Sequence, residues 1–456
     1  MVDAPGSSIT RAFAELVSSW PADHPELLDR CRLLLLDGIA VAVAGAKERG
    51  PTLLAEHTRA ECPDGPATMI GQGSTTSEVG AARVNGVAMH VLDFEPMWNP
   101  ANHALSPLVP GLLALAEKRE QDDAAPQGYD VLRALAKGVE AQGRLRLASG
   151  QLEPAKLSMH PPGAVGAPAS ALACGCLLGL DVDRLTAAVG IACSRTGGLL
   201  ANVGSMTKAL HCGDAAANGV QAAMLASRGF SSNEDALAGP RGWGPSLFGP
   251  AFDPQYLLAP LGKGRALDPG PSWKLFPSQF ATHFGITAAL EAREALGNDL
   301  SNGVAQVRLR APSMPYINRP NPQSGLDGKF SWQYTAAIAL LDGKVEPASF
   351  DDARRFSPDV AALLERTTLV DDAAIPGRFD QMHVEIEVAL NNCTIVRKRC
   401  DSPLGSWSRP VQKETVMKKV RSLLTDVLGT ERADAIEQSI APDFRFPVRP
   451  LMKLLA

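Results

Sequence analysis

Lys208 and His211 stand three residues apart at the start of an Ala-rich stretch, Gly204 to Gly219. On a helix that spacing places an ammonium and an imidazole on one face, near the positive end of the helix dipole, which outlines an anion site. Other reactive side chains lie on loops. Asp93 closes the run Ala81–Phe94, and His103 follows it across a segment interrupted by Pro96 and Pro100. His160 opens Met159-His160-Pro161-Pro162-Gly163, another rigid segment feeding a helix N-terminus. Twice, therefore, a histidine is delivered to the end of a helix where free backbone N–H groups favour an anion. Lysines can neutralise carboxylates, and a His or Tyr in a dry pocket can move a proton to or from carbon. The plainer alternative is a buried helix with an exposed Lys and a satisfied His, with Asp93 and His103 as a cap and a turn former.

The elements that must position these groups read mostly as helices. Leu27–Ala44 is a long apolar run with Asp37-Gly38 inside it, and Ala81–Phe94, Leu108–Ala116, Ala167–Leu180 and Asp183–Ser194 follow. After Lys208, Gly213, Ala216, Ala217 and Gly219 recur at helical spacing, which lets another helix approach closely. Beyond the Gly/Pro-rich stretch Gly262–Pro271 the character changes. Lys274–His283 opens a helix to about Leu296. Val304–Arg310 alternates like a strand, and Met382–Val388 with Cys393–Cys400 forms a hairpin about Asn391-Asn392. Helices are expected at Lys329–Leu341 and Asp351–Arg366, and the C-terminal helices begin near Val411. The expectation is a mainly α protein: an all-helical domain over 1–267, an α+β lid over 268–403, and C-terminal helices over 404–456 that return to the first domain.

Composition narrows the function classes. With 456 residues, 45% hydrophobic and a net charge of -5, the chain can bury a large core and has no electrostatic reason to bind nucleic acid. It has no stretch of ~20 uncharged apolar residues and no signal-peptide pattern at its start, so no membrane role and a cytoplasmic location are expected. The eight cysteines are scattered, Cys174 and Cys176 being too close for a zinc pair, which points to free thiols and no built-in metal. Ser205-Met206-Thr207-Lys208 fits the S-x-x-K pattern of penicillin-recognising enzymes, but the S-D-N and K-T-G partners are missing. Gly71-Gln72-Gly73 lacks the third glycine of a dinucleotide site.

Taken together these markers resemble the MmgE/PrpD family, which includes 2-methylcitrate dehydratases, cis-aconitate decarboxylases and iminodisuccinate epimerases. The carriers are Val84-Asn85-Gly86, Leu92-Asp93-Phe94, His103, His160-Pro161, Met206-Thr207-Lys208 with His211, Lys274 with Pro277 and His283, and Lys329-Phe330-Ser331. Gly138–Leu145, Tyr316–Pro320 and Gly405-Ser406-Trp407 are most similar to the decarboxylases. The resemblance implies a lyase that needs no cofactor and acts on a small di- or tricarboxylic acid, ahead of a dehydratase, an epimerase or a non-catalytic helical scaffold. It implies a homodimer, with Asp93, His103, His160, Lys208 and Tyr316 in catalytic roles and Lys274 and His211 at the substrate. Two positions depart from the decarboxylase pattern: Met97 replaces a Thr, and Gln279 replaces a second His, which leaves a less polar pocket with one fewer possible cation.

Overall fold

A computed structural model of the chain describes residues 8–119, 126–440 and 442–456. Its first part is built from long helices whose sequences explain their ends. Pro25–Gly45 starts with proline, whose missing N–H is harmless in the first turn, and is buried almost all round. Glu78–Val91 is capped by the Ser77 side chain, which accepts from the Gly80 N–H. Leu105–Arg119, Gly128–Ala148, Pro161–Leu177, Val182–Cys193 and Thr207–Ser227 complete the bundle.

The small-residue stripe of Thr207–Ser227 is used inside the chain. A Cβ on Gly86 would stand 2.8 Å from Gly213 Cα, and one on Gly213 would meet Arg83 O at 2.4 Å. Two backbones therefore touch where Glu78–Val91, the helix that leads to Asp93, crosses the helix of Lys208. Gly213 is buried by this packing, Gly219 lies against Ser170 of Pro161–Leu177, and Ala216 and Ala217 are buried too, so the stripe is already occupied within the chain.

The first part is not wholly helical. Ala67–Met69 pairs with Ser74–Thr76, with Gly71 and Gly73 at positive φ in the turn. Met97–Trp98 pairs with Asn102–His103 in a second ribbon, placing Met97 opposite His103.

In the second part a four-stranded sheet runs in the order Thr367–Asp371, Val304–Ala311, Val384–Leu390, Ile395–Cys400; the first pair is parallel and the others antiparallel. Thr282–Leu296 and Trp332–Asp342 accompany it. Three expected helices differ. Lys274–Ala281 is irregular and the helix begins only at Thr282. Trp332 rather than Lys329 starts the next one, because the Ser331 side chain caps it at Tyr334 N–H. Asp351–Arg366 is two short helices, Asp352–Arg355 and Pro358–Leu364, since Pro358 cannot supply the N–H that continuity requires.

Two hydrophobic cores result. The larger gathers the helices of the first part together with Val416, Val420, Leu424 and Leu455 from the C-terminal helices and Phe446 from the segment before the last of them. The smaller lies between the sheet and its helices, around Phe284, Trp332, Tyr334 and Ile386, and Met97 and Val203 from the first part belong to it. The ribbon bearing Met97 and His103 thus lies on the seam between the cores.

Candidate active site

Helix Glu78–Val91 stops at Val91, so Asp93 lies beyond its end, in the left-handed conformation at φ 49°. Such a backbone costs a non-glycine residue on the order of 1 kcal/mol, and Asp tolerates it better than most. It turns the carboxylate toward two lysines. Asp93 Oδ2 accepts from Lys208 Nζ at 2.7 Å, and Asp93 Oδ1 accepts from Lys274 Nζ. Burial alone would raise the Asp93 pKa, but the two ammonium groups hold the carboxyl well below its usual range. Lys274 is itself fully buried, and burial brings it down to about 8 against the pull of Asp93.

Lys208 sits in the first turn of Thr207–Ser227. Besides Asp93, its Nζ contacts His90 Nε2 at 2.7 Å. The other ring nitrogen of His90 lies 2.7 Å from Glu95 Oε1. Glu95 also accepts from the Ser106 hydroxyl and, at 2.8 Å, from the Ser106 N–H. For Lys208 to donate to His90, the imidazole proton must be on Nδ1, facing Glu95. Burial opposes the charge on Glu95 and pushes it up to about 8 in spite of the Ser106 hydrogen bonds. His90, Glu95 and Ser106 thus form a buried chain behind the lysine.

His103 Nε2 is 3.6 Å from Asp93 Oδ1, too far for a hydrogen bond that would fix the imidazole tautomer, and the two form an ion pair only when the imidazole is protonated. Burial, with further help from Lys274 and Lys208, brings His103 down to about 3. His160 caps Pro161–Leu177, which begins at the two prolines instead of after them, and its Nδ1 is 3.4 Å from His211 Nδ1. Burial and Lys208 also hold His160 well below its usual value. Gln279 Nε2 donates to the Tyr316 hydroxyl at 3.1 Å, and burial raises the Tyr316 pKa.

Asp93, Met97, His103, His160, Lys208, Gln279 and Tyr316 line one cavity, whose remaining wall is largely apolar, with Leu157, Leu200, Val203, Phe280, Phe330 and Phe379. Lys274 and His211 stand one layer back: Lys274 faces Asp93, and His211 backs His160. Sequence reading missed His90, Glu95 and Ser106. A signal existed in His90, one helical turn before Asp93 and flanked by apolar residues, and in Glu95 within the same loop.

Ligand atoms of His90, Glu95 and His103 approach within 4.8 Å of one another, as do those of His90, His160 and Cys212. Both sets share His90, whose Nε2 already faces the Lys208 amino group. Its Nδ1 in turn lies 2.7 Å from Glu95 Oε1, so a cation in either set would have to displace a partner that a His90 nitrogen already has, the Lys208 amino group or Glu95.

The MmgE/PrpD N-terminal domain matches residues 11–255 and the MmgE/PrpD C-terminal domain residues 276–441. The chain belongs to the MmgE/PrpD family. Among curated members, the cis-aconitate decarboxylase of Mus musculus is 30% identical over 440 residues, covering 94% of this chain and 89% of that protein. The human one is 30% identical over 437 residues, covering 94% and 90%. That of Aspergillus terreus is 27% identical over 479 residues, covering 98% and 96%. This MmgE/PrpD chain is an enzyme, a lyase. Among its described residues, no helix is long and apolar enough to cross a membrane.

Proposed function

We propose that the protein is a cofactor-independent decarboxylase of a small polycarboxylic acid of the cis-aconitate type. The supporting observation is the buried Lys208–Asp93–Lys274 cluster, with His103 and His160 beside it, at the wall of a mostly apolar cavity. Two lysines and one aspartate leave a single net positive charge for the acid. In the reaction the bond from carbon to one carboxylate breaks and carbon dioxide leaves. The electron pair shifts through the adjoining double bond, and a proton is delivered to carbon. Lys208 holds a remaining carboxylate and the negative charge that develops on it. His103 supplies the proton: burial is the main cause of its low pKa in the free enzyme, and substrate carboxylates beside the ring, which also offset the smaller effect of the lysines, favour the imidazolium on binding. Tyr316, neutral and oriented by Gln279, donates to a second carboxylate.

Met97 and Gln279 set the specificity in this reading. A tricarboxylate would find one hydroxyl and one imidazole fewer than the decarboxylase pattern offers, so an acid with an apolar substituent or one fewer carboxylate is preferred. The enzyme also acts as a homodimer, which light scattering at micromolar concentration tests. The reaction is tested by incubating the protein with citrate, 2-methylcitrate, cis-aconitate, iminodisuccinate and alkyl-substituted unsaturated diacids, with products followed by NMR. Loss of carbon dioxide from an unsaturated acid is expected. Release of water alone, or proton exchange at carbon without either loss, overturns the decarboxylase reading in favour of a dehydratase or an epimerase.

A further inference from the structure

Asp37 interrupts the apolar helix Pro25–Gly45 and is fully buried in the larger core. Its partner is Lys419 of the C-terminal helix Lys413–Leu428, with Nζ 2.9 Å from Asp37 Oδ1. The contact is off the line of a good hydrogen bond, and neither carboxylate oxygen accepts one among the described residues. A buried pair so poorly satisfied is weak support for stability, and two apolar side chains of the same shape serve a core as well or better. The pair therefore needs another explanation.

Lys419 supplies one. Its Nζ donates to Phe94 O at 2.7 Å and lies 4.0 Å from the centre of the Phe94 ring. Phe94 follows Asp93, whose left-handed backbone is tied to the preceding helix by one bond, Asp93 N–H to His90 O at 2.8 Å, which leaves the chain after it to be held from elsewhere. On either side the chain is held by side chains: Asp93 by Lys208 and Lys274, and Glu95 by Ser106 and His90. Among the described residues, only Lys419 grips the backbone carbonyl between them, and Asp37 pairs with Lys419.

We propose that Asp37 and Lys419 are a positioning pair: by holding the Phe94 carbonyl and ring, Lys419 sets the backbone at Asp93 and hence where Lys208 and Lys274 stand relative to the substrate. This rests on Asp93 being at the active site, and it gives the C-terminal helices a part in catalysis although they do not reach the cavity. A displacement of about 1 Å at a reacting group can cost about a hundredfold in rate.

The test compares Lys419→Met, Asp37→Leu and the double variant Asp37→Leu/Lys419→Met, in which both charges go and the carboxylate is replaced by its aliphatic isostere. Each single change leaves a lone buried charge and should lower both the melting temperature and turnover. The double variant should recover the melting temperature to within a few degrees, while kcat, on whichever acid the wild type converts, stays about 10- to 100-fold low with KM within about threefold. A purely structural pair predicts that stability and kcat return together, and a double variant with wild-type kcat would overturn the proposal. A crystal structure of the double variant reads the same question without a substrate: Asp93 should leave φ near 49° or shift its carboxylate by about 1 Å. An unmoved Asp93 would refute the positioning role even if the reaction class proposed above were wrong.

Discussion

Replacing Lys208 by Met separates the charge of this lysine from its bulk, and the structure sets the size of the effect. The side chain is almost fully buried and forms part of the cavity wall, with Asp93 Oδ2 and His90 Nε2 each 2.7 Å from Nζ. Without it Asp93 still pairs with Lys274, so the local charge falls from +1 to zero and no carboxylate is stranded. Loss of one charge-assisted hydrogen bond to a substrate carboxylate is worth about 1.5–3 kcal/mol, or about 10- to 100-fold in binding. Loss of a cation facing the charge that develops after decarboxylation is worth a further factor of about 10²–10³ in kcat. Together kcat/KM should fall about 10³- to 10⁵-fold. Stability should fall by about 1–3 kcal/mol, the cost of leaving His90 Nε2 unpaired, and less than the 3–5 kcal/mol of an abandoned buried charge. Initial rates by NMR and thermal melts by circular dichroism measure the two effects. A variant that keeps kcat/KM within tenfold of the wild type while melting lower would show that Lys208 is a structural member of the Asp93 cluster, and the mechanism above would fail.

Other expectations follow from neighbouring features. The double change Met97→Thr with Gln279→His restores a hydroxyl and an imidazole to the cavity wall and should raise kcat/KM on cis-aconitate about tenfold or more; no gain in an NMR rate assay would remove these positions from the specificity argument. His90, His103, His160 and His283 are all held below the free value of 6.5, with burial the leading cause, so below that pH the unfolded chain binds more protons than the native one. Their contribution is complete above pH 6.5 and is lost as pH falls, by up to about 1.4 kcal/mol per pH unit for each histidine. Glu95, raised from 4.5 to about 8, acts in the opposite sense with one proton, so the melting temperature should be clearly lower at pH 5 than at pH 6.5; an equal or higher value at pH 5 would contradict the buried histidine cluster. Gly213→Ala places a methyl against Arg83 O and Val87, where backbone must give way, and should cost about 1–3 kcal/mol and several-fold in turnover as Glu78–Val91, which leads to Asp93, is pushed away from the helix of Lys208. Wild-type melting and kcat in that variant would show the crossing to be looser than described.

Much of the molecule was legible from residue order alone. Apolar periodicity gave the long helices, because a helix buried on most faces needs little beyond its own composition and a start signal such as Pro25 or Ser77. Alternation gave the strand Val304–Ala311 and the hairpin, both strongly two-faced. The strand Thr367–Asp371 was not legible: it is a short, largely exposed edge whose parallel partner lies some sixty residues earlier, so only assembly of the sheet defines it. Proline-rich loops before helices marked His103 and His160, and a lysine opening a small-residue helix marked Lys208, since both patterns have local causes. What each group touches was decided by tertiary structure. That Lys274 faces Asp93 instead of the cavity, that His90 and Glu95 stand behind Lys208, and that Asp37 reaches Lys419 across the chain all depend on how segments distant in sequence pack together. A sequence can specify which residues are able to carry charge into a core; the packing of distant segments determines which opposite charge each one finds there, and so which of them face a substrate.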